Sequence, residues 1–148
     1  MYERILVAVD GSETADLALQ HAISLAQDQQ AQLRIVYAVD EINLNLETEF
    51  AAQAEIVKAW IEAGRDILGK AQNRVQTAGL KAEAKLLEID KLGYRIADVV
   101  VQEAKDWPAD LLVVGTHGRR GLSHVFLGSV AESIVRICPV PVLLIRGK

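Results

Sequence analysis

The chain has a single cysteine in 148 residues, and one thiol can form no internal disulfide. Cys138, between Ile137 and Pro139, reads as a small buried apolar residue rather than a nucleophile. Excess positive charge is also missing: 16 Lys and Arg against 20 Asp and Glu leave a formal charge of −4. Nucleic acid is therefore not expected as a partner, because contact with a phosphate backbone needs a concentrated basic face. The one basic cluster is Arg119-Arg120. Long apolar runs are absent too. The first, Ile5 to Val9, is stopped by Asp10, which excludes a signal peptide, and no segment reaches the length needed to span a bilayer. No membrane insertion and a cytoplasmic location are expected. Histidine is scarce: His117 and His124 have no third ligand at a usual metal spacing and read as surface or loop-packing residues, and His21 has no evident functional partner.

A hydrophobic content of 51% with 24% charge suits one globular domain, taken as 1-148. Ile5 to Val9 reads as a central strand, followed by a helix capped by Ser12 whose apolar positions, Ala15, Ala18, Leu19, Ala22, Ile23 and Ala26, recur at helical spacing. Leu33 to Val39 gives a second strand, and Lys81 to Ile89 a third and more peripheral one. Arg95 to Trp107 is a helix with Pro108 past its end, Leu111 to Val114 is strand four, Ser129 to Ile137 a helix, and Val140 to Ile145 strand five. Between strands two and three, Phe50, Val57, Gly64, Ala71 and Ala78 interleave with Ala54, Ile61, Leu68 and Val75. That stripe predicts one long helix capped by Gly79, laid along the sheet or offered to a partner helix, with the first use favoured in a compact domain. Asp40 to Thr48 lacks periodicity and reads as a mobile loop. Alternation of strands and helices predicts an α/β fold with a parallel sheet, whose ligands bind beyond the C-terminal strand ends where strand order reverses.

One stretch has the makings of a polyphosphate cradle. Strand four runs into Gly115-Thr116-His117-Gly118-Arg119-Arg120-Gly121, and Gly128-Ser129 opens the next helix. Glycines after a buried strand let backbone amides approach an anion, and a helix start offers unpaired N–H donors and a positive dipole end. Glycine-rich turns are often only turns, and Ser129 with Glu132 three residues on also fits a capping box that needs no ligand. Asp10, at the end of strand one, could accept hydrogen bonds from ribose or an adenine amino group, hold Mg²⁺ through water, or cap the Ser12 helix. One of the two arginines, 119 or 120, is expected to pair with phosphate.

Four blocks in order, Arg4 to Ser12, Ala109 to Arg119, Leu127 to Ala131 and Pro141 to Ile145, resemble the universal stress protein family in its ATP-binding branch. The resemblance covers the whole chain. It implies a single Rossmann-like domain, a five-stranded parallel sheet of order 3-2-1-4-5 with helices on both faces, and commonly a homodimer that binds ATP or a related adenine nucleotide (ADP or AMP), with or without Mg²⁺. Matched by position, Ala8 and Ala38 lie near the adenine and Asp10 at the adenosine side. Gly115, Thr116, Gly118 and Arg119 match the ribose and phosphate loop, and Gly128, Ser129 and Val130 the second phosphate contact. After strand three, where the family often has a Gly-x-Pro turn, this chain has Ile89-Asp90-Lys91-Leu92-Gly93-Tyr94.

The expected function is an adenine-nucleotide binding regulatory protein of the stress response, with an unidentified protein partner. The alternative is a slow ATPase or a nucleotidyl-transfer enzyme on the same fold. Phosphoryl transfer needs a positioned metal, charge neutralisation and an oriented nucleophile, whereas the chain offers no convincing catalytic base, no Gly-Lys-Ser/Thr motif and no Ser-Gly-Gly loop. No catalytic residue or metal ligand is assigned. Strand five carries no charge from Val140 to Ile145 and falls at a sheet edge in the implied order, which predicts a two-fold homodimer through that strand.

Overall fold

The computed structural model of the chain describes residues 1–41, 50–117 and 127–147. Its elements are β1 (Arg4–Ala8), α1 (Glu13–Gln29), β2 (Gln32–Asp40), α2 (Phe50–Thr77), β3 (Ala82–Ile89), α3 (Ile96–Asp106), β4 (Leu111–Gly115), α4 (Ser129–Ile137) and β5 (Val142–Ile145). All five strands are parallel, in the order β3-β2-β1-β4-β5. This is the order that the resemblance implies.

The apolar runs of β1 and β4 follow from burial on both faces. Ile5, Leu6 and Val7 are all fully buried, yet alternation of side chains along a strand splits them between two cores. Ile5 and Val7 join Leu19, Ile23, Leu68 and Val75 under α1 and α2. Leu6 joins Val100, Val101 and Ile134 under α3 and α4. Helices therefore cover both faces. The stripe on α2 resolves in favour of the sheet, because Gly64, Leu68, Ala71 and Val75 are buried. Gly79, at φ +82°, turns the chain after that helix. The expected loop from 40 to 48 lies, from Ile42 onward, outside the described residues.

β3 and β5 are the two edges. Along β5 the carbonyls of Pro141 and Ile145 accept from Leu112 and Thr116 across the β4 ladder. In a parallel strand one residue's N–H and C=O point to the same side, so the even positions, Val142 and Leu144, turn theirs toward the open edge.

A clip that sequence reasoning did not foresee ties the opposite end of the sheet. Asp110 Oδ2 accepts hydrogen bonds from the backbone N–H groups of Glu3 and Arg4, both at 2.9 Å, joining the starts of β1 and β4. Those two amides hold its carboxyl below the ordinary carboxylate value. Asp110→Ala is expected to cost about 1–3 kcal/mol at neutral pH, measured by urea unfolding. Because the folded-state value is lowered, this stability is present above the unfolded value near about 4 and is lost as pH falls through the folded one. Wild type and variant should converge in strong acid. A difference unchanged down to about pH 2 would assign the loss to packing instead.

Candidate functional site

Above the C-terminal ends of β1, β2 and β4 lies a cleft of about 640 Å³. This is the reversal point of the strand order, since β1 leads outward to β2 on one side and to β4 on the other. Ala8 and Ala38 line its floor, both half-buried, with Val9 and Val39 beside them. Asp10 and Asp40 stand at the strand ends. Gly115, Thr116 and His117 form the β4 side, and Gly128, Ser129, Val130 and Ala131 form the rim above it. The structure thus brings Ala8, Asp10, Ala38, Gly115, Thr116, Gly128, Ser129 and Val130 around one cavity. Gly118 and Arg119, like Arg120, lie outside the described residues.

Local chemistry explains how each segment reaches the cleft. Asp10 Oδ1 accepts from the Ser12 amide at 2.9 Å, making a side-chain turn, and Gly11 follows it at φ +85°. Ser12 then caps α1, its Oγ accepting from the Ala15 amide at 3.2 Å. Asp10 is therefore the turn residue ahead of the cap rather than the cap itself. On the other side Gly128, in extended conformation, occupies the cap position of α4 and makes no side-chain cap bond. The capping box expected of Ser129 and Glu132 does not form, because Ser129 already lies inside the helix. The first turn bonds Glu132 N–H to the Gly128 carbonyl, which leaves the amides of Ser129, Val130 and Ala131 with no helical acceptor. Ser129 itself is exposed at the cleft.

Gly115 and Gly128 have a packing reason beside the one expected of them. A Cβ on Gly115 would stand 2.9 Å from the backbone carbonyl carbon of Thr14, so its absence lets the start of α1 close onto the end of β4. A Cβ on Gly128 would stand 2.8 Å from the Thr116 carbonyl oxygen, which accepts the Gly128 amide at 2.7 Å. Thr116 N–H in turn donates to the Ile145 carbonyl at 2.9 Å, and Thr14 Oγ1 donates to the His117 carbonyl at 2.6 Å. Two amides of the expected cradle, those of Thr116 and Gly128, are thus committed within the protein. The donors that α4 aims at the cleft come from its first turn instead. His117 is half-buried on the cleft wall, with Nδ1 3.0 Å from Thr116 Oγ1.

Three walls went unforeseen. Tyr37 from β2, Trp60 from α2, and the pair Ile96 and Val100 from α3 all line the cavity. Ile96 and Val100 follow the turn at Asp90 to Tyr94, where Gly93 takes φ +89°. Tyr37 was signalled only as part of a strand and Trp60 only as an off-stripe position on a helix. The cleft is also polarised. Glu41, with Glu88 and Asp90 near it, sits just beyond Asp40 at the end of β2; desolvation first, and then those two carboxylates, raise its carboxyl above the ordinary value. Negative charge gathers at that end and helix-start amides at the other.

A doubly wound parallel sheet with a cleft at the strand-order reversal defines an open α/β domain of Rossmann-like fold, in which ligands sit beyond the carboxyl ends of the strands. Its family is shown by comparison: residues 1–146 match the model of the universal stress protein family, and the chain belongs to that family. Universal stress protein Sll1388 of Synechocystis sp. is 35% identical, with 98% of each chain covered. A solved member of the family from Burkholderia pseudomallei superposes with a TM-score of 0.80 at 35% identity, covering 99% of this chain and 97% of that one. Two further solved relatives were determined with nucleotides. A universal stress protein in complex with cAMP has a TM-score of 0.73 at 26% identity, covering 99% of both chains. The universal stress protein of Archaeoglobus fulgidus in complex with dAMP has a TM-score of 0.69 at 25% identity, covering 98% of both.

The packing reason for Gly115 makes a prediction with an internal control. Gly115→Ala should destabilise the domain by about 1–3 kcal/mol, since the obstacle is backbone rather than a flexible side-chain tip. Gly69→Ala on α2, where nothing lies within 4 Å of the added carbon, should instead stabilise by about 0.5–1 kcal/mol. Thermal unfolding of both variants checks the pair, and equal shifts would remove the distinction.

Proposed function

We propose that the protein is an adenine-nucleotide binding regulatory protein that takes ATP, with its base over Ala8 and Ala38 and its phosphates toward the start of α4. The observation that carries this reading is the polarity of the cleft: an apolar floor flanked by carboxylates at one end, and helix-start amides with no helical acceptor at the other. The amides and dipole of α4 attract phosphate, while Asp40 and its acidic neighbours repel it, so one orientation of the nucleotide is favoured. The cAMP and dAMP complexes of relatives support an adenine nucleotide as the ligand class. Mg²⁺ would arrive with the triphosphate, held by phosphate oxygens and water, with no carboxylate of the chain assigned to it. Gly118 and Arg119 are assigned to the phosphates by family position alone.

Substitution at Gly128 is a poor test, because any side chain there meets the Thr116 carbonyl. Ser129→Asp is cleaner. At the first helical position an aspartate favours the helix start, yet it sets a negative charge beside the phosphates. ATP affinity by calorimetry should fall at least about tenfold with thermal stability kept or raised. Asp10→Ala should weaken ATP but spare inorganic triphosphate, given its place at the nucleoside end. Full ATP affinity in Ser129→Asp would defeat the phosphate assignment.

The same reading includes a homodimer through β5. Its edge presents Val142 and Leu144 without a strand partner in the described chain, and an uncharged open edge invites pairing. Exposed Val135 and Ile137 on α4 add apolar surface. A two-fold antiparallel pairing of β5 with its copy would cover the edge. Leu144→Pro removes an outward-facing donor while sparing the odd-numbered groups that bond β4, so it should yield a folded monomer by light scattering. A dimer that persists in this variant would place the interface elsewhere.

A further inference from the structure

Trp60 is an unusual residue to leave at a surface. It is 41% exposed in a chain with only seven aromatic residues, two of them tryptophan, and it lies on the wall of the cleft. The other tryptophan, Trp107, has a structural role, with the Arg34 guanidinium 4.7 Å from its ring centroid and its side chain packed against the core under α3. Trp60 belongs to neither core.

Its position is set by a specific close approach. Gly64 lies one turn further along α2, and i and i+4 share a helix face. A Cβ on Gly64 would stand 2.7 Å from Cδ1 of Tyr37 and 2.9 Å from Cδ1 of Leu86, so only glycine allows α2 to settle this low over β2 and β3. Tyr37 is itself a buried wall of the cleft. The helix therefore rests on one aromatic ring of the cavity and, a turn earlier, carries a second to its mouth. An indole there adds a broad apolar face to the cavity that Ala8 and Ala38 also line.

We propose that Trp60 is a base-stacking residue that recognises the purine of the bound nucleotide and is the protein's built-in optical reporter of occupancy. This inference rests on the nucleotide reading above and deepens it, because it places recognition of the base on α2, outside the family's matched blocks. A stacking face reads any purine and ignores the number of phosphates, so ATP and AMP should depend on it equally, and inorganic triphosphate not at all.

Calorimetry on Trp60→Leu and Trp60→Phe, with ATP, AMP and inorganic triphosphate, tests it alongside fluorescence of Trp107→Phe. Leucine fills space without a π face and should weaken ATP and AMP by about tenfold, leaving triphosphate unchanged. Phenylalanine should restore binding to within about threefold of wild type. Trp107→Phe, with Trp60 as its one indole, should show saturable quenching by ATP and AMP. Wild-type ATP affinity in Trp60→Leu would overturn the proposal while leaving the nucleotide reading intact. Equal loss of triphosphate in that variant would overturn it too, since Trp60 would then merely support α2. A wild-type protein that binds none of the three ligands would overturn both.

Discussion

The site depends on one junction, where the start of α1 closes onto the end of β4. Gly115 makes the approach sterically possible, and Thr14 Oγ1 secures it by donating to the His117 carbonyl. Beside it, Thr116 N–H reaches the Ile145 carbonyl and the Thr116 carbonyl receives Gly128 N–H. Segments far apart in sequence are thereby joined at the point where strand order reverses. A helix start aims donors usefully only if its position is held, and these bonds hold α4 within reach of Asp10 and Ala8 across the cleft.

That junction also explains why the glycine pattern could be located in the sequence but not interpreted from it. Gly115 and Gly128 do stand at the cavity, and their spacing with the preceding Leu111 to Val114 run marks a strand delivering a loop to a helix. What a glycine lacks, however, is used up by whatever approaches it, and the approaching atoms belong to Thr14 and Thr116. Thr14 is distant in sequence from Gly115, and nothing local announces the contact. The same limit applies to Ser129. Its motif with Glu132 satisfied a local rule, but the chain enters the helix one residue earlier, so the serine faces the cleft instead of capping.

The elements themselves were largely legible. Runs such as Ile5 to Val9 cannot be accommodated with one face in water, so a buried parallel strand was the consistent reading, and Ser12 with its following helical periodicity marked the turn into α1. Strand order was not readable from pattern alone; it came with the family resemblance, and the observed pairing of β1 with both β2 and β4 agrees. The cavity's far walls were hidden for a physical reason. Tyr37 and Trp60 come together through the packing of α2 on the sheet, and a helical stripe reports which face is buried without reporting what its margins overhang.

The two ends of the sheet divide the work between them. At the N-terminal ends, Asp110 joins β1 to β4, and buried Glu103 near the end of α3 accepts from Arg34 at 2.7 Å and Lys85 at 3.0 Å. Ion pairs with a buried member contribute little net stability, because desolvation offsets their attraction, but these two tie α3 to β2 and β3. Here the arrangement concerns α3, whose opposite end presents Ile96 and Val100 to the cleft. A helix is close to a rigid rod at this length, so fixing Glu103 at the base also fixes the apolar wall at the top. Charge at this end thus serves register. The strand ends that face the cleft keep the small Ala8 and Ala38 and the carboxylates of Asp10 and Asp40, opposite helix-start amides with no helical acceptor, an arrangement that is supported by geometry specified at the other end of the sheet.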